Sequence, residues 1–390
     1  MSVLLAVLIL LPLIVGVYAY IGYPLLLKLA VSFVKDRETT VNNFAWPSIT
    51  ITVPCYNEER SIRSTLDALL AIDYPPDHRQ ILVISDASSD GTDGIVREYA
   101  DRGVELLRLD RRRGKSAAEN AAGGAARGEI IVNTDATIRI LPDALKALVY
   151  AFSDPRVGVA SGRDVSVVSV TEPGTAISGS GESGYVGYEM NIRALETRVG
   201  SIVGASGCFY GIRASLYDSK FPETLSRDFA SALMAAENGY RAVSVNDAVC
   251  LVPQTKSLQS EFRRKIRTMA RGLQTLWFKR HLLNPVKHGT FAWMLFSHKL
   301  CRWLVYPALP IAAIALVIAS VHSRAWLVLL IASAIGALVG VIGMRWPAGK
   351  RAPGLIRLAG FAVASNVAGL LAWLQVLRNK RMAVWEPTRR

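Results

Sequence analysis

Cysteine and histidine are scarce in this chain of 390 residues: four Cys and five His, dispersed, with no C-x-x-C pair. That excludes a zinc site or any metal centre built from thiolates and imidazoles, and unpaired cysteines fit a reducing compartment. Positive charge is missing from the N-terminus, where the first basic residue is Lys28. A secretory signal needs a basic start before its apolar run, so Val3–Leu27 is expected to be an uncleaved anchor. The Lys- and Arg-rich segments lack interleaved aromatics, which argues against a stacking platform for single-stranded nucleic acid. The long apolar stretches carry no charge, which argues against an ion or substrate path through a membrane. No internal repeat is present.

What is abundant is apolar sequence. The chain is 51% hydrophobic with a mean hydropathy of +0.28, too apolar for an ordinary soluble protein and too polar for one wholly in lipid. The excess sits in Val3–Leu27, Trp303–Ser320, Ala325–Met344 and Leu358–Leu377, each near the ~20 residues that span hydrocarbon. About 270 residues separate the first two, enough for one large α/β domain. The expected organisation is an anchor at 1–34, a globular domain at 45–290, a membrane region of two to three spans at 291–377 and a basic tail at 378–390.

Lys28, Lys35 and Arg37 put the globular side in the cytoplasm, and Arg345, Lys350, Arg351 and Arg357 fall on that side if all four stretches cross. The tail residues Arg378, Lys380, Arg381, Arg389 and Arg390 would then lie outside, against the rule. The fourth stretch, with Ser365, Asn366 and Gln375, is therefore the weakest span, interfacial or re-entrant. Much of the net charge of +14 adjoins membrane segments or lies in Glu261–Arg280, which holds seven Lys and Arg. Anionic headgroups and a diphosphate are sufficient partners; nucleic acid is not expected.

Pro47–Tyr56 alternates as a strand, and Glu58–Ala71 carries Ile62, Leu66, Leu69 and Leu70 at helical spacing. Strands ending at Ser85, Leu109 and Thr134 are expected to alternate with helices at about Gly94–Arg102, Ser116–Ala126 and Pro142–Phe152. That order implies a mostly parallel sheet with covered faces. Beyond it, Val157–Ser161 reads as a strand, Ser166–Gly184 as a loop, and Tyr185–Arg198 and Phe229–Asn238 as helices.

Open α/β sheets bind ligands beyond the carboxyl ends of their strands, and acidic residues stand there. Asp86, in Asp86-Ala-Ser-Ser-Asp90-Gly-Thr92, can accept a hydrogen bond from a base or ribose; Asp90 can equally cap the following helix. Arg111-Arg-Arg-Gly-Lys115 precedes a helix and reads as a phosphate cradle or as a solvated basic turn. Asp135 can ligate Mg²⁺ or Mn²⁺, hard cations that bridge to diphosphate oxygens, or cap the turn before Pro142. Asp228, just before a helix, is an N-cap or a general base for a sugar hydroxyl. Metal, diphosphate and membrane together point to sugar transfer from a nucleotide donor.

Taken in order, these residues resemble the family 2 glycosyltransferases that include cellulose, chitin and hyaluronan synthases and related exopolysaccharide enzymes. The resemblance runs from Val53-Pro-Cys-Tyr-Asn-Glu-Glu59 through Asp86–Thr92, Gly114-Lys115 with Asn120, and Asp135. It continues through Gly204–Arg213, Asp228, Gly239-Tyr-Arg241, Phe296–Trp303 and Trp385–Arg389. It implies a GT-A fold, Rossmann-like with a mostly parallel sheet, in a cytoplasmic domain flanked by N- and C-terminal transmembrane helices. It also implies inversion at the anomeric carbon in an integral protein of the inner or plasma membrane. Tyr56, Glu58 and Asp86 would hold the nucleoside of a UDP-sugar, Lys115 would assist the diphosphate, Asp135 would ligate the metal and Asp228 would be the base.

Gly207 and Cys208 would line the acceptor side, while Arg264 and Arg267 would clasp the diphosphate or lipid headgroups. The acceptor is a growing glycan or a lipid carrier such as polyprenyl phosphate, with export or assembly subunits as further partners. Three departures stand out. Asp135-Ala-Thr137 lacks the second carboxylate of D-x-D, and Arg227 replaces the acidic residue often found before the base. The glutamine and tryptophan of Q-x-x-R-W, the signature of processive members, are absent before Arg271-Gly272. The first and third leave open a catalytically silent scaffold subunit.

Overall fold

The computed structural model describes residues 2–34, 44–167, 181–253, 258–346 and 352–378. Most of the expected 166–184 loop, the basic residues Lys35, Arg37, Lys350, Arg351, Lys380 and Arg381, and Trp385–Arg389 lie outside them. Helices α1 (Ser2–Val17) and α2 (Tyr23–Ser32) come first, joined by a π-helical turn at Tyr18–Gly22. An alternating series follows: β1 (Ile49–Cys55), α3 (Ile62–Leu70), β2 (Arg79–Ser85), α4 (Thr92–Arg97), β3 (Val104–Arg108), α5 (Lys115–Ala125) and β4 (Ile130–Thr134). Then come β5 (Arg139–Ile140), α6 (Ala144–Tyr150), β6 (Val157–Val167), α7 (Gly181–Val199), β7 (Phe209–Arg213), α8 (Arg227–Glu237) and β8 (Arg241–Pro253).

All eight strands form one sheet in the order β3-β2-β1-β4-β7-β6-β8-β5. The expected parallel half is present: β1 pairs in parallel with β2 and β4, and β2 with β3. Burial on both faces explains the unbroken apolar run of β2. Ile81 and Val83 join the main core, while Leu82 and Ile84 pack on Ala118 and Ala122 of α5. Because Cys55 aligns with Ser85 and Thr52 with Asn133, the residues after β1, β2 and β4 emerge along one edge.

The second half departs from the alternating pattern. β7 runs antiparallel to β4, with Asn133 opposite Tyr210 and Thr134 opposite Phe209. This brings the chain entering β7 to the point where β4 exits. β6 extends past Ser161 to Val167 by pairing with β8, across register shifts at Val157/Val159 and Ser161/Arg163. Such irregularities blur the alternation by which a strand is read from sequence. The helix expected at Gly94–Arg102 stops at Arg97, followed by a 3₁₀ turn at Ala100–Arg102 that ends on Gly103, at φ 84°.

Helices α9 (Leu258–Phe278), α10 (Pro285–Leu295, broken at Gly289), α11 (Cys301–Ser320), α12 (Arg324–Met344) and α13 (Gly354–Leu377) complete the chain. The chain divides into two compact units. One contains the sheet, with Ala30–Lys256 and Thr275–Phe291; the other is helical, with Met1–Leu29, Ser257–Gln274 and Ala292–Lys380. Among the described residues, four helical segments are long and apolar enough to cross a membrane: Val3–Ser32, Pro285–Ser320, Arg324–Met344 and Gly354–Leu377.

Within the helical unit, small residues let helices approach closely. A Cβ added at Gly343 would lie 2.3 Å from the Ile356 carbonyl of α13. Tyr18 Oη lies 2.6 Å from Ser297 Oγ and accepts from Trp293 Nε1 at 3.0 Å. The polar residues of the weakest expected span are partly accommodated. Asn366 donates to the Ala362 carbonyl in its own helix, and Ser365 accepts from Lys265 at 2.8 Å.

Candidate active site

The loops after β1 and β2 are braced against each other. The Ser89 amide donates to Asn57 Oδ1 at 2.8 Å, and the Glu58 amide to Thr92 Oγ1 at 2.8 Å. Asn57 (φ 53°) and Ala87 (φ 58°) both adopt left-handed backbone, which costs Ala about 1–2 kcal/mol and must be held by its surroundings. Asp90 accepts the amides of Thr92 at 3.0 Å and Glu59 at 3.2 Å. Its geometry is that of the structural alternative. Glu58 is buried and accepts from Ser61 Oγ at 2.7 Å.

Asp86 is buried, with Oδ1 accepting the Arg113 amide and Oδ2 the Gly114 amide, each at 2.7 Å. Its carboxylate therefore shapes the turn that presents Lys115, with Gly114 at φ 99°. In the same turn the Arg112 guanidinium stacks 3.9 Å from the centre of the Tyr56 ring. Lys115, at the start of α5, donates to Asp135 Oδ1 at 2.5 Å and to the Gly207 carbonyl at 2.8 Å. Burial pulls the pKa of this ammonium down, but Asp135 and Glu119 outweigh it, leaving the net value above the ordinary 10.5. Lys115 is a fixed positive charge.

The turn before β7 joins the remaining groups. Ser206 Oγ donates to Asp164 Oδ1 at 2.6 Å and accepts the Cys208 amide at 3.0 Å, while the Ser206 amide donates to Ser161 Oγ at 2.8 Å. A Cβ on Gly207 would stand 2.8 Å from Asp228 Oδ2, so a larger residue there would displace that carboxylate. Asp228 lies in the first turn of α8 and accepts from Ser226 Oγ, whose own amide donates to Thr275 Oγ1 at 2.9 Å.

Burial raises the pKa of Asp164, against the lowering effects of Arg193 and Ser206. A carboxyl whose folded pKa is raised is most favourable to folding below its unfolded value, and its ionisation costs stability as pH climbs. Asp164→Asn, which keeps an acceptor for Ser206, is expected to melt higher than wild type at pH 7. Below pH 3.8, the ordinary aspartate value, the difference should vanish. Melting curves at both pH values check this, and an unchanged midpoint at pH 7 would contradict it.

Arg227, the residue in place of an acid, is buried with its side chain 1% exposed. Its guanidinium lies 4.5 Å from the ring centre of Tyr217 and 5.2 Å from that of Phe221. It donates to the Asp218 carbonyl at 2.7 Å and to Asn120 Oδ1 on α5. The structure thus brings Asp86, Lys115, Asp135, Gly207, Cys208 and Asp228 into one linked set, with Tyr56 and Glu58 on the adjoining loop. Arg264 and Arg267 fall in Ser257–Gln274 of the helical unit. Sequence reasoning missed Ser206, Asp164 and Glu119. Only Glu119, one helical turn beyond Lys115, had a readable signal.

A parallel sheet with acidic strand ends, a lysine turn opening α5, and an antiparallel return strand setting a glycine near Asp228 together make the arrangement of a GT-A fold. Residues 50–219 match the model of Glycosyl transferase family 2. An N-acetylglucosaminyltransferase of Rhizobium sp. (strain N33) is 24% identical over 263 residues, covering 64% of this chain and 58% of the relative. A poly-beta-1,6-N-acetyl-D-glucosamine synthase of Staphylococcus epidermidis is 31% identical over 116 residues, 29% of this chain and 28% of that protein. The chain spans a little over half the length of the first of these relatives. Among solved structures, the mannosyltransferase PcManGT from Pyrobaculum calidifontis, in complex with GDP-Man and Mn²⁺, superposes with a TM-score of 0.74. It is 24% identical, over 96% of this chain and 99% of that one, a likeness of fold.

Proposed function

We propose that this protein is an inverting, membrane-bound transferase that moves a sugar of the N-acetylglucosamine or glucose type from UDP to a glycan or lipid-linked acceptor. The observation that carries this reading is the Gly207 turn, whose carbonyl accepts from Lys115 while a Cβ on the same residue would stand 2.8 Å from Asp228 Oδ2. One short segment thereby joins the charge suited to a leaving diphosphate and the carboxylate suited to a base. Asp228 takes the proton of the acceptor hydroxyl as its oxygen bonds to the anomeric carbon. The bond from that carbon to the diphosphate breaks on the opposite face, and the sugar inverts. Lys115 offsets the charge on the departing diphosphate. The names of the two curated relatives support the N-acetylglucosamine alternative, and exopolysaccharide as the product class.

Asp135 would hold the metal. Among the described residues no three His, Cys, Asp or Glu converge on a common point, and Asp135 shares one oxygen with Lys115. A cation ligated by one carboxylate, diphosphate oxygens and water fits this donor-poor set, and hard Mg²⁺ or Mn²⁺ accepts it. When bound, it adds Lewis-acid stabilisation of the leaving group. The four apolar helices support an integral membrane location, with the sheet domain and its donor in the cytoplasm.

The test is nucleotide release by purified protein in detergent with Mn²⁺ or Mg²⁺, across UDP-N-acetylglucosamine, UDP-glucose, UDP-glucuronate and GDP-mannose, with glycan and polyprenyl phosphate acceptors. Release of UDP from one of the first two, abolished by EDTA, is the expected result. Release from GDP-mannose alone would overturn the donor assignment. No release from any donor would overturn the enzymatic reading in favour of a scaffold.

A further inference from the structure

The counter-charge to Arg227 comes from another helix. Glu119 of α5 is 3% exposed; its Oε2 lies 4.0 Å from Arg227 Nε and its Oε1 3.9 Å from Lys115 Nζ. One buried carboxylate therefore stands between two cations on different elements. The first cation faces Asp135 and Gly207; the second belongs to the residue bonded directly to Asp228. The surroundings hold this arrangement still. Tyr217 Oη donates to the Glu119 carbonyl at 2.8 Å, and Asn120, next to Glu119, binds both Arg227 and the Phe221 carbonyl. Removed from solvent, such charges are little screened and constrain one another strongly.

We propose that Glu119 is a positioning residue that registers Lys115 against the Ser226–Asp228 segment through Arg227. Arg227 and Asp228 share a peptide bond, so a shift of the guanidinium shifts the base. The inference rests on the reading of Lys115 as the diphosphate group and Asp228 as the base.

The test compares full-length wild type, Glu119→Gln, the double variant Glu119→Leu/Arg227→Leu and Asp228→Asn, purified in detergent and assayed with the active donor. Replacing both members of a buried pair by apolar residues commonly preserves folding. The double variant should melt near wild type, with kcat lowered about 10- to 100-fold, as expected for a base displaced by an ångström or less. Its donor KM should stay within about threefold, because the nucleoside contacts are untouched. Wild-type kcat in the folded double variant overturns the proposal. So does Glu119→Gln losing donor affinity at unchanged kcat, since Glu119 would then serve the lysine alone. A double variant that melts far below wild type overturns it too, in favour of a purely structural pair. Retained turnover in Asp228→Asn, by contrast, removes the base assignment, and silence of the wild type removes the enzymatic reading.

Discussion

Asp228→Asn is expected to lower kcat about a thousandfold while the donor KM stays within about threefold. The amide is nearly isosteric and keeps an oxygen to accept from Ser226 Oγ. It also fits the close approach to Gly207, since the side chain keeps its size. What it loses is the capacity to take a proton from an attacking hydroxyl. Geometry and donor contacts survive while the chemical step fails. Initial rates of nucleotide release over a donor titration check the split between kcat and KM. More than a tenth of wild-type turnover would show that another group accepts the proton, and a matched loss of affinity would point to misfolding of the α8 N-terminus.

Lys115→Ala is expected to lower kcat about 10²- to 10³-fold, the scale for removing one preorganised charge from a developing anion, and to raise the donor KM as well. The effect exceeds that of a surface lysine because the ammonium is held by Asp135 at 2.5 Å and the Gly207 carbonyl at 2.8 Å. Its loss leaves Asp135 facing the diphosphate without its cation. Lys115→Arg should restore little, since a planar guanidinium cannot reproduce a point charge between those two oxygens. With its pKa above 10.5, this lysine should contribute no loss of turnover as pH rises to that value. Rates for both variants, measured at fixed ionic strength, decide the matter. Unchanged kcat in Lys115→Ala would assign the diphosphate to other cations.

Particular elements show what could be read early. β1 was legible from its alternation of Ile and Thr, β2 and β4 from short apolar runs bounded by polar residues, and the acidic residues after them mark the edge where ligands bind. The apolar helices were legible from length and composition alone. β7 and β8 were not. β7 is a five-residue strand in a Gly- and Ser-rich segment, and β8 pairs with β6 across irregularities that break the period of two. Arg227, as a single position, reads only as a base in place of an acid. Folding places it between Tyr217 and Phe221, with its carboxylate partner 108 residues earlier at Glu119.

The order of residues along the chain by itself determined the class of fold, the apolar helices and the identities of Asp86, Lys115, Asp135 and Asp228. Those are properties of hydrophobic period, turn chemistry and residue type, all local. Only the tertiary structure decided which groups touch. The antiparallel pairing of β7 with β4 delivers Gly207 to Lys115 and Asp228, Asp86 turns out to build the lysine turn with both oxygens, and Glu119 links two cations. Contacts between residues far apart in sequence depend on strand order and register, and these are set by packing of the whole sheet rather than by any one segment.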